Sequence, residues 1–198
     1  MQEQKLSDIY IMKIVIISSS VRTGRNSHRL ALYFKNYILE NNIADVEIAD
    51  LNEYQFPVFN ERLQYTPNPT ADVLEFADRI NRADGIIIVT PEYNGGYPAA
   101  LKNVVDLMYR EWRRKPIAIA AASDGQFGGT QVITSLVFSF FKIGALLVPA
   151  RYHASTVQDH YDPDGTPKEK AATDKRAKSF IGELLWCMEA KIKMNTNQ

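Results

Sequence analysis

Residues 85–90 read Gly-Ile-Ile-Ile-Val-Thr, and this run of β-branched residues is the segment that decides the fold prediction. Such a run, bounded by turn residues, is typical of a strand buried on both faces of a parallel sheet. A similar run, KIVIIS at residues 13–18, lies earlier in the chain, and PIAIAAA at residues 116–122 lies later. Two weaker segments, Val46–Leu51 and Ala145–Pro149, complete a set of five predicted strands.

Helical patterns alternate with these strands. Apolar residues recur at helical spacing in segments that we expect to begin at Asn26 or Ser27, Thr70, Pro98, Thr130 and Thr166. The last start is predicted from Thr166-Pro167-Lys168-Glu169, which has the form of a capping box. This alternation indicates an α/β fold, and five strands suit the three-layer flavodoxin-like sheet of order 2-1-3-4-5. We expect one domain over residues 13–194, after a loosely held extension formed by residues 1–12.

Composition narrows the classes of function. The 198 residues carry 23 basic and 23 acidic side chains, and this balance disfavours a nucleic-acid binder and a strongly acidic electron carrier. The single cysteine, Cys187, excludes an intrachain disulfide framework and a four-cysteine zinc site. All apolar runs are shorter than the ~20 residues that a membrane span needs. Residues 1–8 lack a signal-peptide pattern. We therefore expect a cytoplasmic protein that binds neither nucleic acid nor membranes.

The loop after the first strand is the first candidate ligand site. In open parallel sheets, ligands bind at the carboxyl ends of the strands where the strand order reverses, here between strands one and three. Residues 18–27 read SSSVRTGRNS and run into a helix N-terminus, whose N–H groups and dipole favour an anion. Arg22 and Arg25 would add charge-assisted bonds, and Ser20 and Ser27 would donate hydroxyl hydrogens. The alternative is a solvated loop whose serines only cap the helix.

Two further loops follow strands at the same edge. Residues 90–98 (TPEYNGGYP) combine prolines, glycines and aromatic rings, which suits a flat heteroaromatic ligand and equally a turn before a helix. Residues 123–129 (SDGQFGG) place three glycines before a helix, yet they form neither a dinucleotide fingerprint nor a P-loop. Each loop alone is weak evidence, and the three at one edge are stronger together.

These segments resemble the motifs of the NAD(P)H-dependent FMN reductase family. Ser19-Ser20-Val21-Arg22 is similar to its Gly-Ser-x-Arg phosphate motif, with serine in place of the glycine. Pro91-Glu92-Tyr93-Asn94 is similar to its second motif, and residues 123–129 to its third. The resemblance implies FMN as cofactor, NADPH or NADH as co-substrate, and a homodimer or homotetramer.

The resemblance also implies roles for individual residues. The phosphate would be held by Ser20, Arg22, Arg25, Asn26 and Ser27. The isoalloxazine would be lined by Pro91, Glu92, Tyr93 and Asn94, with Ser123 and Gly125 near its ring edge. Because the flavin carries the redox chemistry, we nominate no catalytic acid, base or nucleophile. His28, His153 and His160 lack metal-ligand spacing, so we expect no metal site.

The implied activity is an oxidoreductase with a ping-pong scheme. Hydride would pass from NAD(P)H through bound FMN to a small acceptor, which is free flavin, a quinone, an azo dye or chromate. Three alternatives stay open: a flavodoxin-like electron-transfer protein without reductase activity, a flavin-binding scaffold or sensor, and a hydrolase. The hydrolase would use Ser123 as nucleophile and His153 or His160 as base. Trp112, just past the third helical segment, is a candidate interface anchor.

Overall fold

The β-branched runs form the sheet that their composition predicts. The computed structural model describes residues 10–125 and 128–196, and its five strands are paired in the order β2-β1-β3-β4-β5. The strands, all parallel, are β1 (Lys13–Ser18), β2 (Asp45–Asp50), β3 (Gly85–Pro91), β4 (Pro116–Ala122) and β5 (Leu146–Ala154). The predicted α/β class and strand order are confirmed. The expected N-terminal extension falls mostly on residues 1–9, outside the described residues.

Helices cover both faces of this sheet. They are α1 (Ser27–Glu40), α2 (Ala71–Arg82), α3 (Ala99–Leu107), α4 (Thr130–Lys142), α5 (Val157–His160) and α6 (Lys170–Thr196). The first, fifth and sixth pack on one face of the sheet, and the second, third and fourth pack on the other. Successive strand residues point to opposite faces, so Ile14 and Ile16 enter one core while Val15 and Ile17 enter the other. Among the described residues, none of the helices combines the length and the apolar character that a membrane span requires.

The prediction that the last helix begins with a capping box at Thr166 is wrong. Pro167 pairs with Tyr161 in an antiparallel bridge, and the Thr166 N–H donates to the Asp164 carboxylate at 2.9 Å. These contacts hold residues 161–167 in a turn, so α6 begins only at Lys170. A local sequence rule is overridden here by pairing between neighbouring segments.

Two other expectations also differ from the structure. Strand β5 runs to Ala154 rather than ending at Pro149, because its second half pairs with the end of β4. Trp112 is fully buried between the rings of Phe76 and Phe140 and is therefore part of the core rather than an exposed anchor. Its indole N–H donates to the Val105 carbonyl at 3.2 Å, which satisfies the one polar group of the ring.

Candidate functional site

A cleft of about 740 Å³ opens at the carboxyl ends of the central strands, where the strand order reverses. Its volume lies within the range of roughly 300–1,000 Å³ that is typical of small-molecule sites. The three predicted loops line it together. The lining includes all but two of the predicted site residues: Arg22, Arg25, Asn26, Ser27, Pro91, Glu92, Tyr93, Ser123 and Gly125. Ser20 and Asn94 lie outside this lining.

The loop after β1 presents an open helix N-terminus to the cleft. Asn26 occupies the N-cap position of α1, and its side chain makes no capping hydrogen bond. The hydroxyl of Ser27, at the first helical position, is buried without a hydrogen-bond partner among the described residues. Buried polar atoms in native proteins are nearly always paired, and the first N–H groups of a helix have no partner within it. These donors suit an anionic ligand.

The two arginines of this loop have different surroundings. Arg22 is exposed at the cleft and forms no side-chain hydrogen bond or ion pair with the described residues. The guanidinium of Arg25 instead forms a two-pronged ion pair with the carboxylate of Asp50 and donates to the carbonyl of Ser20. The positive charge of Arg25 is therefore largely compensated by Asp50. Arg22 supplies a positive charge at the cleft that is not compensated in this way.

The second loop turns back on itself in a tight hairpin. Tyr93 and Gly96 exchange backbone hydrogen bonds of 2.8 and 3.0 Å, and the turn residues Asn94 and Gly95 have φ of +52° and +78°. The phenol of Tyr93 lies 2.7 Å from the hydroxyl of Ser20. Ser20 thus ties the first loop to the second rather than facing the cleft, and Asn94 lies at the tip of the hairpin.

Glu92 joins the second loop to the start of α4. Its carboxylate accepts hydrogen bonds from the N–H groups of Gln131 and Val132 at 3.0 and 3.1 Å. Glu92 therefore caps α4 although it is distant from that helix in sequence. Gly129 precedes the helix with φ of +74°, and a Cβ there would lie 2.9 Å from the Cβ of Ala121. Glycine is required at this close approach.

The third loop does not assemble a hydrolase. The hydroxyl of Ser123 donates to the Gly125 carbonyl at 2.8 Å rather than to an imidazole. His153 Nδ1 lies 3.2 Å from the carbonyl of Gly128. The hydrolase alternative needs a hydrogen bond from Ser123 to His153 or His160, and the described residues do not form that pair. Residues 126–127 of this loop lie outside the described residues.

Sequence reasoning missed several residues of the site region. Among them, Gln131 and Val157 line the cleft, and Asp50 lies behind it against Arg25. Asp50 is the last residue of β2, at the sheet edge where ligands bind, and this position could have identified it as a candidate site residue. Gln131 and Val157 carry no comparable local signal.

His28 lies beside this buried ion pair. Its Nδ1 is 3.5 Å from the carboxylate of Asp50 and 2.9 Å from the hydroxyl of Ser18. Burial lowers the pKa of His28, and the charge of Arg25 adds to this effect, while Asp50 opposes it. The imidazole is therefore held in its neutral form near pH 7.

Comparison with known proteins agrees with this geometry. Residues 12–159 match the family described as NADPH-dependent FMN reductase. An NAD(P)H-dependent FMN reductase of Saccharomyces cerevisiae is 35% identical over 133 residues, which cover 61% of this chain and 69% of that protein. A quinone reductase of Pseudomonas putida is 38% identical over 89 residues, 42% of this chain and 45% of that one. The solved flavoenzyme NAD(P)H:(acceptor) oxidoreductase of Paracoccus denitrificans shares the fold, with a TM-score of 0.72 at 22% identity, over 90% of this chain and 98% of its own.

Proposed function

We propose that this chain, which belongs to the NADPH-dependent FMN reductase family, binds FMN in the cleft and passes electrons from NAD(P)H to a small acceptor. The acceptor class is a free flavin, quinone, azo dye or chromate, and relatives named quinone reductase and NADPH azoreductase support it. The single observation that carries the proposal is the open N-terminus of α1, where the Ser27 hydroxyl has no partner among the described residues and the exposed Arg22 lines the same cleft.

The described residues fit a flavin mononucleotide. A phosphate monoester needs several N–H or O–H donors and a cation, which the start of α1, Ser27 and Arg22 supply. A flavin ring needs a flat slot bordered by backbone groups, and Pro91–Tyr93 and Ser123–Gly125 line the same cleft. Both ends of the ligand therefore have residues of suitable chemistry.

The chain's own contribution is binding and orientation. When bound, FMN would supply the two-electron chemistry, accepting hydride from NAD(P)H and giving it to the acceptor in a ping-pong scheme. Arg22, Ser27 and the α1 N–H groups would bind the phosphate, and Ser20 would hold Tyr93 at the ring loop. We assign no protein acid, base or nucleophile.

We further propose that residues 13–194 act as one domain, in the cytoplasm, as a homodimer or homotetramer with small-molecule partners. Two large rings of α4 support contact between copies, because Phe138 and Phe141 are 72% and 74% exposed.

An absorbance spectrum tests the proposed function. Purified protein incubated with FMN and passed over a desalting column should keep the flavin bands, lose them on anaerobic addition of NADPH, and regain them with a quinone. Retained bands that NADPH does not bleach would favour the electron-transfer or scaffold alternatives. Protein that retains no flavin would contradict the proposal outright.

A further inference from the structure

Asp50 is a buried carboxylate that touches the site only through other residues. It ends β2 directly beside Ser18 of β1, and the residue is 4% exposed. Its oxygens accept both arms of the Arg25 guanidinium and the N–H of Asn52, the latter at 3.1 Å. A buried carboxylate is tolerated only where its oxygens are paired in this way. Asp50 is absent from the cleft lining.

Arg25 connects Asp50 to the loop that follows β1, which is the loop expected to bind the phosphate. The same guanidinium donates to the carbonyl of Ser20, and the Arg25 N–H donates to the carbonyl of Arg22 at 3.2 Å. The segment between Ser20 and Arg25 is therefore closed into a compact turn with Arg22 on its exposed side. The ion pair between Arg25 and Asp50 holds this turn against the end of β2, a strand that does not line the cleft.

We propose that Asp50 and Arg25 are a positioning pair that sets the phosphate selectivity of the cleft. Asp50 holds the Arg25 fork against the Ser20 carbonyl, and this contact places Arg22 and the α1 N–H groups for a phosphate. The proposal rests on the proposed function, and it assigns the pair no contact with the reacting atoms. Because the two charges compensate each other, their role is geometric.

Charge and geometry predict opposite results for Asp50→Asn. This substitution removes a negative charge near the phosphate site, so electrostatics alone would tighten FMN binding. The positioning role predicts that FMN affinity falls by about tenfold or more, the scale of one hydrogen bond to a charged group. Riboflavin lacks the phosphate, so its affinity should change by no more than about twofold, within the scatter of surface substitutions.

The experiment is a fluorescence titration of FMN and of riboflavin against each variant. Arg25→Lys is the second test, because lysine keeps the charge but cannot form the planar fork to Asp50 and Ser20. It should also lower the preference for FMN over riboflavin. Asp78→Asn is the matched control: it makes the same charge change in the exposed ion pair with Arg82 and should leave both affinities unchanged.

The outcomes separate the two proposals. If the wild-type protein binds neither flavin, the proposed function fails. If the wild type prefers FMN and whichever of the Asp50→Asn and Arg25→Lys variants folds keeps that preference or binds FMN more tightly, the positioning role is overturned. Circular dichroism identifies the folded variants, and the lysine variant remains informative where the asparagine variant unfolds. A lost preference in a folded variant supports the pair.

Discussion

Helices α1 and α4 both begin at the cleft, and their N-termini differ in whether a side chain of the protein caps them. The start of α4 is capped by the Glu92 carboxylate, which accepts two of its N–H groups. Within the part of the chain that the structure describes, the start of α1 has no side-chain cap and the Ser27 hydroxyl has no hydrogen-bond partner, and Arg22 lines the same cleft. Both helix dipoles attract negative charge. At α4 the chain supplies that charge itself, whereas at α1 the donors are left for a ligand. The comparison assigns the anion to α1.

The largest expected effect comes from removing the uncompensated cation. Arg22→Ala should weaken FMN binding by about 1.5–3 kcal/mol, because a charge-assisted contact to phosphate is lost. Riboflavin binding should be unchanged. Titration of both flavins by fluorescence quenching measures the difference. Equal FMN affinities in the variant and the wild type would show that Arg22 does not bind the phosphate, and the open start of α1 would then be the only difference left between the two helices.

Removing the Glu92 cap should lower the stability of α4 and leave the anion at the start of α1. Glu92→Ala leaves the N–H groups of Gln131 and Val132 without their acceptor, so the free energy of unfolding should fall by about 1–2 kcal/mol. Glu92→Gln keeps an acceptor oxygen and is the matched control, with a smaller loss. Urea denaturation of the flavin-free protein measures both. A fully stable alanine variant would show that the cap is dispensable.

Ser27 separates stability from binding. Its hydroxyl is buried and has no hydrogen-bond partner in residues 10–125 and 128–196, so Ser27→Ala should leave the unfolding free energy unchanged or slightly raised. The same substitution should weaken FMN binding by about 0.5–1.5 kcal/mol, the net value of one hydrogen bond. Thermal denaturation and flavin titration of one preparation provide the two readouts. A large loss of stability would mean that the hydroxyl has a partner within the protein.

The smallest effect is a pH dependence on the α1 side. The pKa of His28 is lowered in the folded protein, mainly by burial and also by Arg25, so the unfolded chain binds a proton first as pH falls. The stability contribution is therefore complete above the ordinary histidine pKa and declines as pH falls through and below it. Urea denaturation at about pH 7.5 and about pH 5.5 should show a shallower decline for His28→Gln than for the wild type. Parallel profiles would exclude His28 as a source of the decline.

The fold and the location of the cleft follow from local sequence patterns. Residues 13–18, 85–90 and 116–122 are dense enough in apolar residues to indicate central strands, and the parallel sheet then brings their loops to one edge. The role of Glu92 was not predictable in this way, because its partners at α4 lie 39 and 40 positions along the chain. The Asp50–Arg25 pair is likewise a contact between separate elements that neither local segment encodes.

Local rules failed where pairing between segments was stronger. Thr166 has the sequence signature of a helix start, yet the bridge between Tyr161 and Pro167 places it in a turn. Trp112 follows a helix in a stretch of charged residues, which is typical of an exposed segment, yet the packing of α2 and α4 encloses its ring. In both cases the deciding contacts come from residues outside the local window that predicts helices and loops.

A crystal structure of the protein with FMN would locate the anion at one of the two helix starts. We expect the phosphate at the start of α1, within hydrogen-bond distance of the Ser27 hydroxyl and the Arg22 guanidinium, with Glu92 still bound to the N–H groups of α4. A phosphate seated at the start of α4, with Glu92 displaced from Gln131 and Val132, would contradict it.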